Sequence, residues 1–320
     1  MIHVTVVIGS RANFSSTLPI MQEIQNAKDF ILDIVCFESA VSERYGDISM
    51  IIENMGFNVN SRIHSLTDGD PLGKMVFSTA SAMTGFGNYF ANIDVDYVVV
   101  VGDRYEMLAP VIAASYMNIK VLHTMGGELT GTIDESIRHA ITKLSHLHCV
   151  ATHHSAKRVI KMGENPNTVF NTGCPRIDIV KSILEEEIDV SDVISNEGVG
   201  SKINLNDEFL LLSFHPVTTE LDQARNQASV LLDAVSECNI PTMALWPNSD
   251  GGSDYISKEI RSRRESGHLP NFRIFRNFSV PVYTTLMKKC SVLVGHSSSG
   301  IRAGAYIGTP VVDIGTRQKH

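Results

Sequence analysis

The feature that most constrains the fold is the alternation of short apolar runs with longer segments of helical period. In the first half of the chain the runs are rich in Val and Ile and occupy residues 4–8, 30–36, 97–101, 121–123 and 148–151. Between the first two runs, Leu18, Met21 and Ile24 recur at helical spacing. Strands that are apolar on both faces and separated by helices are typical of a parallel sheet covered on both sides.

The pattern begins again after a polar interval between about residues 178 and 207. That interval contains the acidic run 185–187 and the glycine-containing stretch 195–201, which are typical of a linker or a peripheral insertion. Apolar runs then return at residues 209–214, 242–246, 272–275, 291–294 and 310–314. Since 320 residues suffice for two domains, we predict an α/β protein with two Rossmann-like domains, residues 1–180 and 181–320, whose parallel sheets face a cleft.

The charge balance excludes some classes of partner. Lys and Arg number 27 and Asp and Glu number 35, so the formal net charge is −8 at pH 7. Nucleic acids and anionic membranes require a concentrated positive patch, so we predict neither as a partner. No apolar stretch approaches the roughly 20 residues of a spanning helix. The first apolar run has no basic region before it, and the five cysteines form no Cys-x-x-Cys pair, so we expect a cytoplasmic protein without a signal peptide.

Polar residues follow the apolar runs of the first half, where ligands of parallel sheets bind. Arg11 follows the first run in Gly9-Ser10-Arg11, and Arg104 follows the third run in Gly102-Asp103-Arg104. A guanidinium beside a helix N-terminus favours contact with a phosphate group. A simpler alternative is that Asp103 caps the next helix and pairs with Arg104.

Carboxylates also collect in this half. Glu128 follows Gly126-Gly127, and Asp134 and Glu135 open the next helical segment. Together with Asp103 they place carboxyl groups at neighbouring strand ends, which suits a general acid and a general base. The alternatives are that Asp134 caps its helix and that Glu128 is solvated.

The second half presents a different set of polar residues. His215 follows the run 209–214, and Asn248 follows the run 242–246. The segment Ser297-Ser298-Ser299-Gly300 opens a helix, where backbone N–H groups, hydroxyl groups and the helix dipole favour a phosphate. No lysine follows the glycine, so this is not a Walker A loop. The sequence contains no His-Glu-x-x-His motif and no cluster with metal-ligand spacing, so we predict no metal.

Taken in chain order, these segments resemble the UDP-N-acetylglucosamine 2-epimerase family, in particular its hydrolysing branch in sialic-acid and nonulosonic-acid pathways. The resemblance spans essentially the whole chain, and its motifs are Gly9-Ser10-Arg11-Ala12, Gly102-Asp103-Arg104, Gly126-Gly127-Glu128, residues 131–144, residues 215–219, Pro247-Asn248-x-Asp250, residues 297–300 and residues 315–318. It implies a GT-B-like fold that binds a UDP-sugar, neither a metal nor a nicotinamide cofactor, and a homodimer or tetramer. Family members continue beyond the position of His320, so we expect their C-terminal helix to be lacking here.

The resemblance also implies a reaction. The family removes the proton at C2, eliminates UDP to leave a glycal, and adds water to give free N-acetylmannosamine. Asp103, Glu128 and Glu135 match its acid/base carboxylates, with the C2 base left open among them, and His215 is a further catalytic candidate. The residues that match positions around the nucleotide are Arg11, Ser15, Arg104, His215, Asn248, Ser297, Ser298, Ser299, Gly300 and Arg317, with Phe278 near the uracil.

Four positions depart from the family pattern: Asn13, Met125, His296 and Ala303. Relatives hold the ribose hydroxyls with a glutamate where this chain has Ala303, and its loss is expected to cost about 1.5–3 kcal/mol of binding. One alternative function is therefore a hydrolysing 2-epimerase of a UDP- or GDP-linked 2,4-diacetamido-6-deoxy sugar, in a legionaminic-type pathway. Another is non-catalytic binding of a nucleotide sugar. A non-hydrolysing epimerase and a GT-B glycosyltransferase are further alternatives.

Overall fold

The computed structural model describes residues 1–67, 71–102, 104–130, 133–217, 219–248 and 250–318. The chain divides into two units, Met1–Ile179 and Val180–His320, and each has its own sheet. The division falls within the helix Pro175–Glu185.

Among its described residues, the first unit has a sheet of seven strands, all paired in parallel in the order β3-β2-β1-β4-β5-β6-β7. They are β1 (Ile2–Ile8), β2 (Phe30–Phe37), β3 (Ser61–Ile63), β4 (Tyr97–Val101), β5 (Lys120–Thr124), β6 (Leu147–Val150) and β7 (Val169–Asn171). The chain builds the sheet outward from β1 on one side and then returns to the other side with β4. The carboxyl ends of β1 and β4 therefore form a topological switch point, where α/β sheets bind their ligands.

Helices cover this sheet and complete its core. They are α1 (Arg11–Asn26), α2 (Ile48–Asn54), α3 (Pro71–Phe90), α4 (Leu108–Tyr116), α5 (Ile133–Leu144), α6 (His153–Lys161) and α7 (Pro175–Glu185). Short 3₁₀ turns lie at Glu38–Val41, Glu43–Tyr45, Tyr105–Met107 and Pro166–Thr168. Phe86 of α3 packs edge-on against Phe37 of β2, with ring centroids 4.9 Å apart. Because the buried strands are apolar on both faces, helices can pack on either side.

In the described part of the second unit, six strands form a sheet in the order β13-β12-β9-β10-β11-β8. They are β8 (Val199–Gly200), β9 (Leu210–Ser213), β10 (Thr242–Leu245), β11 (Phe272–Phe275), β12 (Val292–Gly295) and β13 (Val311–Asp313). The helices are α8 (Ser191–Asn196), α9 (Ala224–Glu237), α10 (Ser253–Glu265), α11 (Val280–Lys289) and α12 (Ala305–Ile307), and a π-helix occupies Gly300–Gly304. The switch point of this sheet lies between β9 and β12, whose ends are level because Gly295 pairs with Ser213.

One edge differs from the purely parallel sheet that we predicted. β8 pairs antiparallel with β11, inside the interval that we interpreted as a linker. Gly198 and Gly200 have positive φ, and a Cβ at Gly200 would lie 2.2 Å from the carbonyl oxygen of Phe272. The buried Arg273 side chain donates to the Glu197 carbonyl at 2.7 Å and the Ser195 carbonyl at 3.0 Å. Close backbone approach and these hydrogen bonds hold a segment that has little apolar content of its own.

The remaining prediction, of α/β architecture with two Rossmann-like sheets, is confirmed. In the part of the chain that the structure describes, no helix combines the length and the apolar character needed to cross a membrane.

Candidate active site

The switch point of the first sheet begins with Gly9, which directly follows β1. Ser10 occupies the N-cap position of α1, but its hydroxyl donates to Asn13 Oδ1 at 2.8 Å instead of capping the helix. The Asn13 side chain then donates to the Val101 carbonyl at 3.2 Å, which ties α1 to the end of β4. Arg11 is half-buried at the first position of α1, where helical N–H groups favour an anion.

Ser15 and Asp103 give less information about this switch point. The Ser15 hydroxyl is buried and donates to the Ala12 carbonyl at 3.2 Å, within the same helix. Asp103 lies outside the described residues, so its catalytic role stays a prediction.

Arg104 forms a buried ion pair that the sequence did not indicate. Its Nε donates to Glu106 Oε1 at 2.6 Å, and both side chains are almost completely buried. Burial raises the pKa of Glu106 to about 7, against the opposing effect of the Arg104 charge. The neighbouring Tyr105 hydroxyl donates to Glu38 Oε1 at 2.5 Å, so a second buried carboxyl group lies beside the pair.

Gly9 leaves space for the side chain of Glu106. A Cβ at this position would lie 2.7 Å from Glu106 Cγ and 2.9 Å from Phe37 Cζ. The glycine therefore lets the Glu106 side chain pass over the end of β1. This crowding is the signal that could have identified Glu106, but it requires the tertiary structure.

Glu128 and Glu135 are brought to one loop–helix junction. The carbonyl oxygen of Glu128 accepts from Nη1 of the fully buried Arg138 at 2.7 Å, and Glu135 Oε2 accepts from the Thr130 amide at 2.7 Å. The loop after β5 is therefore held to the first turns of α5 by two contacts, one through the backbone of Glu128 and one through the side chain of Glu135. Both glutamates remain partly exposed, which leaves them accessible to a ligand.

Two further contacts hold the loop of Glu128. Gly127 has φ of 75°, and a Cβ there would lie 2.5 Å from the Ser155 carbonyl, so the loop requires glycine. His123 at the end of β5 lies with Nε2 2.9 Å from the Gly102 carbonyl and is completely buried. Burial lowers the pKa of His123 to about 4, so this linker between the loops after β4 and β5 stays neutral.

In the second unit, two histidines meet at the switch point between β9 and β12. Nε2 of His296 lies 2.6 Å from the carbonyl oxygen and 3.0 Å from the amide nitrogen of His215. The His296 ring is buried and stacks on Phe214 with centroids 4.3 Å apart. Burial, reinforced by the Arg317 charge, lowers the pKa of His296 to about 4. His296 is therefore a neutral ring that joins the two loops.

Asn248 and Arg317 join the same group. The Asn248 amide N–H donates to His215 Nδ1 at 3.3 Å, and its side chain donates to Asp250 Oδ2 at 2.7 Å. Arg317 Nη1 donates to the Pro216 carbonyl at 2.6 Å, and Nη2 lies 3.2 Å from the same Asp250 oxygen. The structure thus brings together His215 and Asn248, which follow apolar runs, and Arg317, which the resemblance indicated.

The serine segment directly follows His296. Ser297 Oγ lies 2.8 Å from Ser299 Oγ, which in turn lies 2.9 Å from the Tyr283 hydroxyl. Ser298 is half-buried at the start of the helical residues, and a Cβ at Gly300 would lie 3.0 Å from Leu293. The helix opens close to the sheet, and its first hydroxyl groups form a chain of hydrogen bonds.

Two positions linked to the nucleotide by resemblance lie in the core of the second unit. Phe278 packs against Phe275, with ring centroids 4.6 Å apart, and is 6% exposed. Ala303 belongs to the same apolar cluster. A contact between Phe278 and a base therefore stays a prediction.

The two edges differ in the chemistry they can perform. The first carries carboxylates for proton transfer beside arginines, and the second carries hydrogen-bond donors and one arginine suited to an anion. Among the described residues, no group of three or more His, Cys, Asp or Glu side chains is arranged to hold a metal ion.

Comparison with known proteins identifies the family. The model of the family described as UDP-N-acetylglucosamine 2-epimerase matches residues 22–320. A relative from Legionella pneumophila, named UDP-N,N'-diacetylbacillosamine 2-epimerase (hydrolyzing), is 33% identical over 98% of this chain and 80% of its own length. A Campylobacter jejuni relative, named GDP/UDP-N,N'-diacetylbacillosamine 2-epimerase (hydrolyzing), is 30% identical over 99% of this chain and 81% of its own.

A solved structure supports the same conclusion at the level of fold. The UDP-GlcNAc 2-epimerase from Neisseria meningitidis, bound to UDP-GlcNAc, superimposes with a TM-score of 0.79 at 18% identity, over 99% of this chain and 84% of its own. The fold is therefore GT-B-like, as predicted. With the family model covering nearly the whole sequence, this chain belongs to the UDP-N-acetylglucosamine 2-epimerase family.

Proposed function

We propose that this chain is a hydrolysing 2-epimerase that converts UDP-N-acetylglucosamine, or a close 2-acetamido nucleotide sugar, to a free N-acetylmannosamine-type sugar and UDP for sialic or nonulosonic acid synthesis. The observation that supports this most directly is the first sheet's edge, where Arg104 follows β4 and Glu128 follows the adjacent β5. Positive charge and carboxylates then occupy neighbouring strand ends.

The reaction requires two proton transfers at C2. A carboxylate removes the C2 proton while the C1–O bond breaks, so that a C1–C2 double bond forms and UDP leaves. Water then adds its oxygen to C1 and gives up a proton to a carboxylate, while a carboxylic acid returns a proton to C2 on the opposite face. Asp103, Glu128 and Glu135 are the candidates, because positioned carboxyl groups perform both steps of general acid–base catalysis.

The departing diphosphate gains negative charge as the C1–O bond breaks. Fixed hydrogen-bond donors that point at this charge stabilise the transition state more than the ground state, so they lower the barrier. We assign this role to Arg11 and Arg104, and we assign Arg317 to nucleotide binding. His215, Asn248 and the segment Ser297-Ser298-Ser299-Gly300 are assigned to nucleotide binding, with His215 as a further catalytic candidate.

A second candidate substrate is a UDP- or GDP-linked 2,4-diacetamido-6-deoxy sugar. It is favoured by the names of the Legionella and Campylobacter relatives, which are hydrolysing epimerases of diacetylbacillosamine nucleotides.

The test is proton NMR in deuterated water with UDP-N-acetylglucosamine and, in parallel, the UDP- and GDP-linked diacetylated sugars. The proposal predicts release of UDP and of a free sugar that carries deuterium at C2. UDP-linked epimer would instead indicate the non-hydrolysing branch, and release without deuterium would contradict C2 chemistry. Nucleotide binding with no turnover of any substrate would favour the non-catalytic alternative.

The assembly state and the cytoplasmic location stay predictions. Sedimentation velocity at micromolar protein would distinguish the homodimer or tetramer from a monomer.

A further inference from the structure

The buried ion pair between Arg104 and Glu106 is not needed for stability alone, because a packed apolar pair could stabilise the fold as well. Taking two charges out of water costs several kcal/mol per ion, and apolar replacements of buried pairs are often as stable. This pair nevertheless occupies the switch point of the first sheet, between Gly9 and the loop after β4. Because ligands of α/β sheets bind at this edge, the position of the pair suggests that it contributes to ligand binding.

The surroundings leave Glu106 little freedom. Its Cγ lies against Gly9 at a distance that no side chain there would tolerate, and Phe37 closes the same space. The side chain is completely buried, and Oε1 receives the Arg104 Nε–H at 2.6 Å. Among the described residues, Oε2 has no hydrogen-bond partner, so this carboxyl group depends on Arg104 for its side-chain hydrogen bond.

A second buried carboxyl group, that of Glu38, affects the charge state of Glu106. Glu38 is completely buried and accepts from the Tyr105 hydroxyl. The Glu38 charge contributes to the raised pKa of Glu106, while the Arg104 charge opposes it. Arg104 therefore places a positive charge beside a buried carboxyl group, and its guanidinium is held at Nε.

We propose that Glu106 is a positioning residue, which fixes the Arg104 guanidinium for the diphosphate of the substrate while Gly9 provides the space that Glu106 requires. This inference rests on the proposed function, because it takes Arg104 as a ligand for the nucleotide. An arginine anchored at Nε has lost its rotamer freedom before the ligand arrives, so less entropy is lost on binding.

The first measurement needs no ligand. A buried Nε–H that donates to a carboxyl group is protected from exchange, so ¹⁵N-edited NMR of the arginine Nε–H region should show a sharp, slowly exchanging resonance. Arg104→Gln assigns it by its disappearance. We expect Glu106→Ala to abolish this resonance or its protection, and Glu106→Gln to retain protection because the amide oxygen still accepts. A protected Arg104 resonance in Glu106→Ala would overturn the proposal.

The second measurement is a double-mutant cycle for UDP binding by calorimetry. We expect Glu106→Ala to weaken binding at least tenfold, and Glu106→Gln to restore most of that loss. In the Arg104→Gln background, Glu106→Ala should have no further effect, since a positioning residue acts through its partner. Equal losses in both backgrounds would show a merely structural role and overturn the proposal.

A matched control separates folding from positioning. Asp33 is another nearly buried carboxylate of the same sheet, and it accepts from the Tyr89 hydroxyl and lies 2.8 Å from His3 Nε2. Asp33→Asn should lower the melting temperature but leave UDP affinity unchanged. If the wild type neither binds UDP nor turns over nucleotide sugars, the proposed function fails, while the NMR result still decides whether Glu106 fixes Arg104.

Discussion

One buried group at each carboxyl edge, Glu106 in the first sheet and His296 in the second, illustrates how burial acts on different polar groups. At the first edge burial raises the pKa of Glu106 to about 7, whereas at the second edge it lowers the pKa of His296 to about 4. The cause is the same, since a low-dielectric interior disfavours the charged form of either group. The results differ: a carboxyl group near neutrality can hold or give up a proton, but a neutral imidazole serves only to orient its neighbours.

The comparison teaches that two similar sheets can be specialised by the polar residues at the carboxyl ends of their strands. The first unit gathers carboxylates and an ion pair, and the second gathers a hydrogen-bonded group around His215 and Arg317. We infer that proton transfer depends mainly on the first unit and nucleotide affinity mainly on the second.

The largest effect should follow from removing a carboxylate of the first unit. Glu128→Gln should lower kcat by about 10²–10⁴, the usual contribution of a general acid or base. UDP affinity should stay within about threefold, because we assign most nucleotide contacts to the second unit. The measurements are turnover by NMR and UDP binding by calorimetry.

Glu53→Gln is the matched control, since Glu53 pairs with Arg62 at the surface of the same unit. It should leave both quantities unchanged. Loss of UDP affinity in Glu128→Gln without loss of kcat would break the division between the units.

The next effect concerns nucleotide affinity. Arg317→Gln should weaken UDP binding by about 10–100-fold, which is the range for loss of a charged hydrogen bond, and kcat at saturation should change less. Calorimetry and initial rates measure the two quantities. Arg263→Gln is the matched control, because it removes an arginine of α10 that pairs with Glu259 and Asp233. Its UDP affinity should stay at the wild-type value.

A smaller effect should appear in the stability of the second unit. His296→Phe keeps the ring that stacks on Phe214 but leaves the His215 backbone groups without their partner, so the free energy of unfolding should fall by about 1–3 kcal/mol. Trp246 is the single tryptophan of the chain and follows β10, so its fluorescence in urea reports on this unit. An unchanged midpoint would mean that His296 does not hold the two loops together.

The smallest effect is the pH dependence, which has opposite signs at the two edges. His296 contributes stability above its unfolded pKa of about 6.5, and this is lost as pH falls through about 4. Glu106 contributes stability below about pH 4.5, and this is lost as pH rises through about 7. Between pH 5 and 6, the penalty of His296→Phe should grow by about 1 kcal/mol, while that of Glu106→Gln should shrink.

Urea unfolding at both pH values tests the first change by Trp246 fluorescence, and hydrogen exchange of first-unit peptides tests the second. Changes of the same sign in both variants would contradict the comparison.

The sheets could be predicted because a strand buried on both faces must be apolar throughout. The run 97–101 is β4 residue for residue, and four of its valines are buried. β3, β7 and β8 could not be predicted, since they have two or three residues and partial exposure. Neighbouring strands and contacts such as Arg273 hold them, and these are not local properties of the sequence.

The candidate site was predictable to the same extent. Arg104, His215 and Asn248 follow strands, so their positions were evident from the pattern. Glu106 was not, because an acidic residue in a short helical turn is usually solvated. Its burial depends on Gly9, which is distant along the chain and adjacent in space. Phe278 packs in the core of the second unit, and the base contact that the resemblance implies stays a prediction.

The two-residue strand β8 also has a consequence for the behaviour of the molecule among other molecules. The outer strand of a sheet presents unpaired amide and carbonyl groups, and a long regular edge can recruit a strand from another chain. β8 is short, and the left-handed backbone at Gly198 and Gly200 breaks the regular spacing of those groups. At this edge, therefore, the glycines that let β8 approach β11 also protect newly made chains from edge-to-edge aggregation.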